Sequence, residues 1–236
     1  MKGQAKGTMD GIRENVLRVK EAIARAAERV ARDPEGIRLV GACKTVDVPR
    51  IRSAIQAGIA ILGENYVQEA MRKSQEIEEP VAWHFIGHLQ KNKAKYAVHL
   101  FEMIHSVDSV ALAEELDRRA GQANRKLDVL VEINLSGETT KWGVSEGDAL
   151  PLAERIRGLA HLTLRGLMTM PPYFDDPEES RPYFVRLRRL GEKITREGLH
   201  VGPVDLSMGM SNDFPVAIEE GATLVRVGTA IFGARA

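Results

Sequence analysis

Eight short runs rich in β-branched and apolar residues alternate with stretches of helical period along this chain of 236 residues, with no break in composition between them. That rhythm constrains the fold more than any single motif. Parallel strands joined by helices must either stack into an open, doubly wound sheet or close on themselves as a barrel. The predicted strands are Ile37–Cys43, Ile59–Gly63, Trp83–Ile86, Met103–Val107, Asp128–Asn134, Leu162–Met168, Val204–Met208 and Thr223–Val227. Helical spacing fills the intervals: Val48–Ala57, a helix ending near Ile77, Lys91–Ala97, a helix capped by Ser109 and running to Ala120, Glu146–Gly158, Glu178–Glu197 and Phe214–Glu220. Before the first strand, Ile12, Val16, Val19, Ile23, Ala26, Ala27 and Val30 mark one face of a further helix over 10–32. The expectation is an α/β fold, a single (β/α)8 TIM-type barrel domain over 1–236 with an extra N-terminal helix and flexible first residues. The open sheet is the alternative.

Lys plus Arg and Asp plus Glu both number 33, so the chain has no net charge. Without a basic excess, neither nucleic acid nor an anionic membrane is expected as a partner. The basic run Lys91-Asn92-Lys93-Ala94-Lys95 is read as a solvated helix face. Cys43 is the one cysteine, which rules out an internal disulfide and fits a reducing compartment. Met1–Asp10 has no apolar core of a secretory signal, and no apolar run is long enough to span a bilayer. A cytoplasmic protein is expected.

A parallel barrel keeps its chemistry at the C-terminal ends of its strands. There the sequence places Lys44, Glu64, Asn65, Gly87, His88, His105, Asp108, Asn134, Met168, Thr169, the run Ser207–Ser211, Gly228 and Thr229. Lys44 ends an apolar strand, where a lysine either snorkels to water or, with its pKa lowered by burial or a nearby cation, attacks a carbonyl. Gly228 and Thr229 after the eighth strand, with Ser207–Ser211 after the seventh, offer backbone amides and hydroxyls to an anion. A turn that needs glycine and a capping serine is the plainer alternative. By strand alternation Leu224, Arg226 and Gly228 share one face while Val225 and Val227 face the helices, which turns Arg226 into the barrel mouth. A buried guanidinium needs an acceptor, either a ligand or a carboxylate such as Asp205.

Several runs together resemble the pyridoxal phosphate homeostasis proteins, formerly called alanine-racemase N-terminal-like proteins. They are Cys43-Lys44-Thr45-Val46, Leu62–Glu69, Trp83–Lys93, Ile104–Asp108, Lys141-Trp142-Gly143, Arg165–Met168, Leu206–Ser211 and Val225–Arg235. The resemblance implies a fold-type III barrel that binds pyridoxal 5′-phosphate (PLP) as a Schiff base on Lys44. It implies phosphate contacts at Ser211, Gly228 and Thr229, Arg226 facing the pyridine nitrogen, and Asn65 near the ring. His88 falls in a matching motif without an assigned role. Cys43 departs from the pattern, where serine is expected, and is read as packing on the face opposite Lys44. The implied function is to carry or regulate PLP supply as a monomer serving PLP-dependent apo-enzymes, with no established reaction. Two rivals stand beside it: an amino-acid racemase, and a PLP-free aldolase-type barrel with its own Schiff-base lysine. Racemisation is not expected. Alanine racemases draw a second base, a tyrosine, from a β-domain beyond the barrel, the sequence stops just after the eighth strand, and Tyr173 is the nearest substitute.

Overall fold

In the computed structural model, which describes residues 9–138 and 141–234, the chain forms a ring of strands inside a ring of helices. The first residues, expected to be flexible, lie outside the described part. The strands are β1 (Arg38–Ala42), β2 (Ile61–Glu64), β3 (Ala82–Phe85), β4 (Met103–Val107), β5 (Leu127–Glu132), β6 (Leu162–Met168), β7 (Asp205–Ser207) and β8 (Leu224–Val227). All neighbouring pairs are parallel, and β8 returns to β1, with Val40 opposite Arg226. The sheet is therefore a closed barrel, not the open alternative.

The helices are α1 (Met9–Glu28), α2 (Val48–Gln56), α3 (Val67–Glu76), α4 (Ala94–Leu100), α5 (Val110–Gln122), α6 (Ala149–Arg157), α7 (Arg181–Arg196), α8 (Phe214–Glu219) and the short α9 (Thr229–Phe232). Helix α1 is the extra one: its Ile12, Val16, Val19 and Ile23 are buried against the outer core. Caps set several starts. The Asp47 side chain accepts from Arg50 N at 3.0 Å, and Ser109 Oγ accepts from Leu112 N at 3.3 Å, each satisfying an N–H that the helix cannot. The helix expected from Glu146 begins at Ala149, because Ser145 and Asp148 bond to each other and form a turn. The one expected from Glu178 opens as a 3-10 turn over Pro177–Ser180.

Alternation along the strands separates two apolar populations. Outward residues such as Val129, Val131, Val225 and Val227 join the core beneath the helices. Val40, Met103, Leu130, Met168 and Leu224 form a separate cluster, one inward residue from each of five strands, that plugs the barrel. Burying each such side chain contributes roughly 1.5–3 kcal/mol. Polar layers flank the plug. Arg38, Asp128, Arg165 and Asp205 lie toward the strand N-termini, and His84, His105, Glu132, Ser207 and Arg226 toward the C-termini.

Candidate functional site

Lys44 lies two residues past the end of β1, at the first of two corners of a tight turn closed by Val46 N donating to Cys43 O at 3.0 Å. Its neighbour Thr45 has φ 62°, a left-handed conformation that costs a β-branched residue about 1–3 kcal/mol and persists only where the surroundings hold it. What holds it is a buried ionic cluster. Lys73 on α3 is 1% exposed and donates to Cys43 O at 2.6 Å and to Glu64 Oε1 at 2.5 Å, with Glu69 Oε1 at 2.7 Å. Glu69 Oε1 also accepts from Thr45 N at 2.7 Å, and Glu64 Oε2 accepts from Asn65 N at 3.1 Å. Burial alone would lower the Lys73 pKa, but its bonds to the two carboxylates outweigh that and raise it, so the ammonium stays charged. Burial, with Glu64 alongside, pushes the Cys43 thiol well up. The thiol is neutral and fully buried, packed with the outer core as expected but also donating to Gly63 O at 3.4 Å and Glu64 Oε1 at 3.5 Å.

Arg226 is 3% exposed and points into the barrel, as alternation predicts. Its protein acceptors are a hydroxyl and a carbonyl, not Asp205, the carboxylate weighed beside a ligand. Nη1 donates to Ser207 Oγ at 2.5 Å and Nη2 to Thr169 O at 2.9 Å. Asp205 lies two residues before Ser207 on β7, one layer deeper, and pairs there with Arg38. Burial brings the guanidinium down to about 10, which leaves it cationic at neutral pH. Behind it runs a line of buried rings: Ser207 Oγ is 2.9 Å from His105 Nδ1, and His105 Nε2 is 2.9 Å from His84 Nδ1. Burial holds His84 down at about 3 and His105 well below its usual value, so both are neutral. Burial, with Asp108 nearby, pushes the Glu132 carboxyl up to about 7.

The third component is the junction of β8 with α9. Ser211 Oγ accepts from Gly228 N at 3.3 Å and from Ala230 N at 3.2 Å, so one hydroxyl and two amides converge. Gly228 also spares this junction a tight contact: a Cβ there would lie 3.1 Å from Ala42 O.

Lys44, Asn65, Ser211, Arg226, Gly228 and Thr229 all line one cavity of about 580 Å³ at the C-terminal mouth of the barrel. Such a volume suits a cofactor-sized molecule. The Asn65 Oδ1 atom is buried there without a hydrogen-bond partner. Its backbone is held by Glu64 from below and by Gly87, where a Cβ would sit 2.5 Å from Asn65 O. An amine, a buried cation and clustered amides around one cavity can hold a small anionic carbonyl compound.

Other strand-end residues go elsewhere. His88 stacks on Trp142 with ring centroids 3.5 Å apart and Nδ1 3.4 Å from Asp108 Oδ2, and it does not line the cavity. Asn134 ties its own loop together through Glu138 O and Lys141 O. Sequence reasoning passed over Lys73, Glu69 and His84. The i,i+4 pair of Glu69 and Lys73 was a visible signal, but it reads equally as a solvated surface pair. The wall formed by Met170, Pro172 and Phe174 was also missed, because loop residues follow no period.

Comparison with known proteins agrees with this geometry. The family described as alanine racemase, N-terminal domain, matches residues 10–236. A protein of Aquifex aeolicus named pyridoxal phosphate homeostasis protein is 46% identical over 94% of this chain and 97% of its own length. One of the same name from Vibrio alginolyticus is 39% identical over 96% of this chain and 99% of its own length. The solved structure of PipY of Synechococcus elongatus with PLP bound superposes with a TM-score of 0.79 at 36% identity, covering 90% of this chain and 100% of that one. The chain thus belongs to the alanine racemase N-terminal domain family, among the relatives named pyridoxal phosphate homeostasis protein.

Proposed function

We propose that this protein binds PLP in the mouth of its barrel, covalently through Lys44, and carries or regulates the supply of that cofactor. The observation that carries the reading is the convergence of Lys44, the buried Arg226 guanidinium and the Ser211–Gly228–Ala230 donor cluster on a single cavity. Relatives bearing the homeostasis name, and the PLP-bound PipY, support it. The residues fit the cofactor chemically. Lys44 supplies the amine for its aldehyde. The Gly228 and Ala230 amides, which meet at Ser211 Oγ, would turn to a phosphate dianion together with that hydroxyl. Asn65 Oδ1, buried and unbonded, supplies an acceptor beside Lys44.

Held through an amine, the cofactor supplies an electron sink, which is strongest when a carboxylate keeps its ring nitrogen protonated. Arg226 cannot do that: it is cationic at neutral pH and a donor only. Set toward a ring nitrogen, as the resemblance implies, it would leave that atom unprotonated and weaken the sink, which suits carriage better than turnover. The relatives' names state no catalytic activity. Delivery to PLP-dependent apo-enzymes, a monomeric state and a cytoplasmic location complete the proposal. Among the described residues no helix is long and apolar enough to cross a membrane.

Borohydride reduction of the PLP-loaded protein, followed by peptide mapping, tests the reading. The adduct is expected on Lys44, and Lys44→Ala is expected to lose the visible absorption while staying folded. An adduct on a different lysine would remove Lys44 from the site, and failure to bind PLP would remove the function.

A further inference from the structure

The corner that presents Lys44 is held from outside the cavity, and by one helix. The peptide before Lys44 is fixed through Cys43 O, which accepts from Lys73 at 2.6 Å. The peptide after it is fixed through Thr45 N, which donates to Glu69 at 2.7 Å. Glu69 and Lys73 stand one turn apart on α3 and touch each other at 2.7 Å. Glu64, fully buried, bonds Lys73 with one oxygen and the Asn65 amide with the other. One ammonium thus ties the end of β1, the end of β2 and α3 together directly beneath two cavity residues.

A packing role alone does not account for this arrangement. A lysine 1% exposed with two carboxylates is an expensive way to fill space, since apolar residues of like volume serve as well or better. What charge adds is direction. Its hydrogen bonds fix the orientation of individual peptide units, and here the two peptides it and its partner grip are the two that flank Lys44. The left-handed Thr45 that follows the second peptide needs such restraint.

We infer that Lys73 and Glu69 are positioning residues for Lys44, clamping its flanking peptides so that its amine meets a carbonyl held in the cavity. The inference rests on the reading that Lys44 bonds the cofactor. Its consequence is specific to covalent capture: loosening the clamp weakens binding of an aldehyde more than binding of the same ring and phosphate without one.

The test compares affinities for PLP and for pyridoxine 5′-phosphate, which has an alcohol in place of the aldehyde, in the full chain. Glu69→Ala is expected to lose roughly tenfold in PLP affinity, equivalent to about 1.4 kcal/mol, with little change for pyridoxine 5′-phosphate. Glu69→Gln, which keeps an acceptor for Thr45 N, is expected to restore the wild-type ratio. The triple variant Lys73→Met with Glu64→Gln and Glu69→Gln removes the ammonium and both of its carboxylates together, so no charge is stranded, and it should shift the ratio in the same direction. Equal losses for both ligands, or an unchanged ratio in Glu69→Ala, would reduce the cluster to a structural prop. Lys44→Ala separates the two levels: if it leaves the ratio unchanged, the covalent reading fails, whatever the clamp variants do.

Discussion

Arg226 donates to Ser207 Oγ at 2.5 Å, and that single hydroxyl connects the cation at the mouth of the barrel to the imidazoles in its interior. Arg226 is a donor only, so Ser207 accepts from it and has its own proton to give. His105 Nδ1, 2.9 Å away, accepts that hydrogen bond, and His105 Nε2–H then donates to His84 Nδ1. Both rings are held neutral by burial, so the line adds no second positive charge beside the guanidinium.

Ser207→Ala should therefore do more than delete a hydroxyl. It leaves an Arg226 N–H and a His105 nitrogen buried without partners, which costs about 1–3 kcal/mol. Urea unfolding should show that loss, and a PLP titration should show weaker binding as Arg226 shifts. A variant unchanged in both would make the Arg226–Ser207 bond incidental.

Glu132 and His84 make opposed contributions to the pH dependence of stability. Glu132 has a folded pKa raised to about 7, so the folded chain holds a proton there that the unfolded chain has released, and stability falls as pH rises through the window from about 4.5 to 7. His84 is lowered to about 3, so its contribution is complete above about 6.5 and is lost as pH falls below that. Glu132→Gln fixes the neutral form. It should raise stability at pH 8 by up to about 3 kcal/mol and change little at pH 4. Denaturant midpoints followed across pH by tryptophan fluorescence check this; a gain that is the same at both ends would point to packing rather than charge.

Gly228→Val places a branched side chain against Ala42 O, where even a Cβ would come within 3.1 Å, and pushes apart the amides that meet Ser211. The preference for PLP over pyridoxal, which differ only by the phosphate, should fall roughly 10–100-fold, or about 1.4–3 kcal/mol. Retention of the wild-type preference would place the phosphate elsewhere.

Amino-acid racemisation should be absent. It needs acid–base groups on opposite faces of the reacting carbon, each in hydrogen-bond reach. Lys44 can serve one face. Tyr173 lines the same cavity but is 76% exposed, on a loop after β6, and an exposed hydroxyl is poorly placed to hold one geometry. Incubating PLP-loaded protein with L-alanine in deuterated water should give at most slow α-proton exchange with retention. Sustained inversion that disappears in Tyr173→Phe would restore the enzyme reading.

Much of the fold was legible because its signals are local. The period of two along Leu224–Val227 faces the valines outward and Arg226 inward, and Ser109 caps α5 as its position predicts. The partners of buried charges were not legible. Asp205 has the right chemistry to neutralise Arg226, but two residues along β7 place it a layer too deep, where Arg38 meets it. Lys73 lies on α3, a helix of mostly polar composition, and only the docking of α3 against the ends of β1 and β2 buries it.

The sequence by itself determined the order of strands and helices, the inward face of the eighth strand and the residues that could reach the barrel mouth, since these follow from short-range periodicity and from turn chemistry. Tertiary structure decided which of them meet. Lys44 and Arg226 are far apart along the chain, and they line one cavity because β8 closes against β1 with Val40 opposite Arg226. Closure joins the two ends of the sheet, and the registers at that seam and the burial of α3 beneath Lys44 arise from packing between distant segments, which no local pattern encodes.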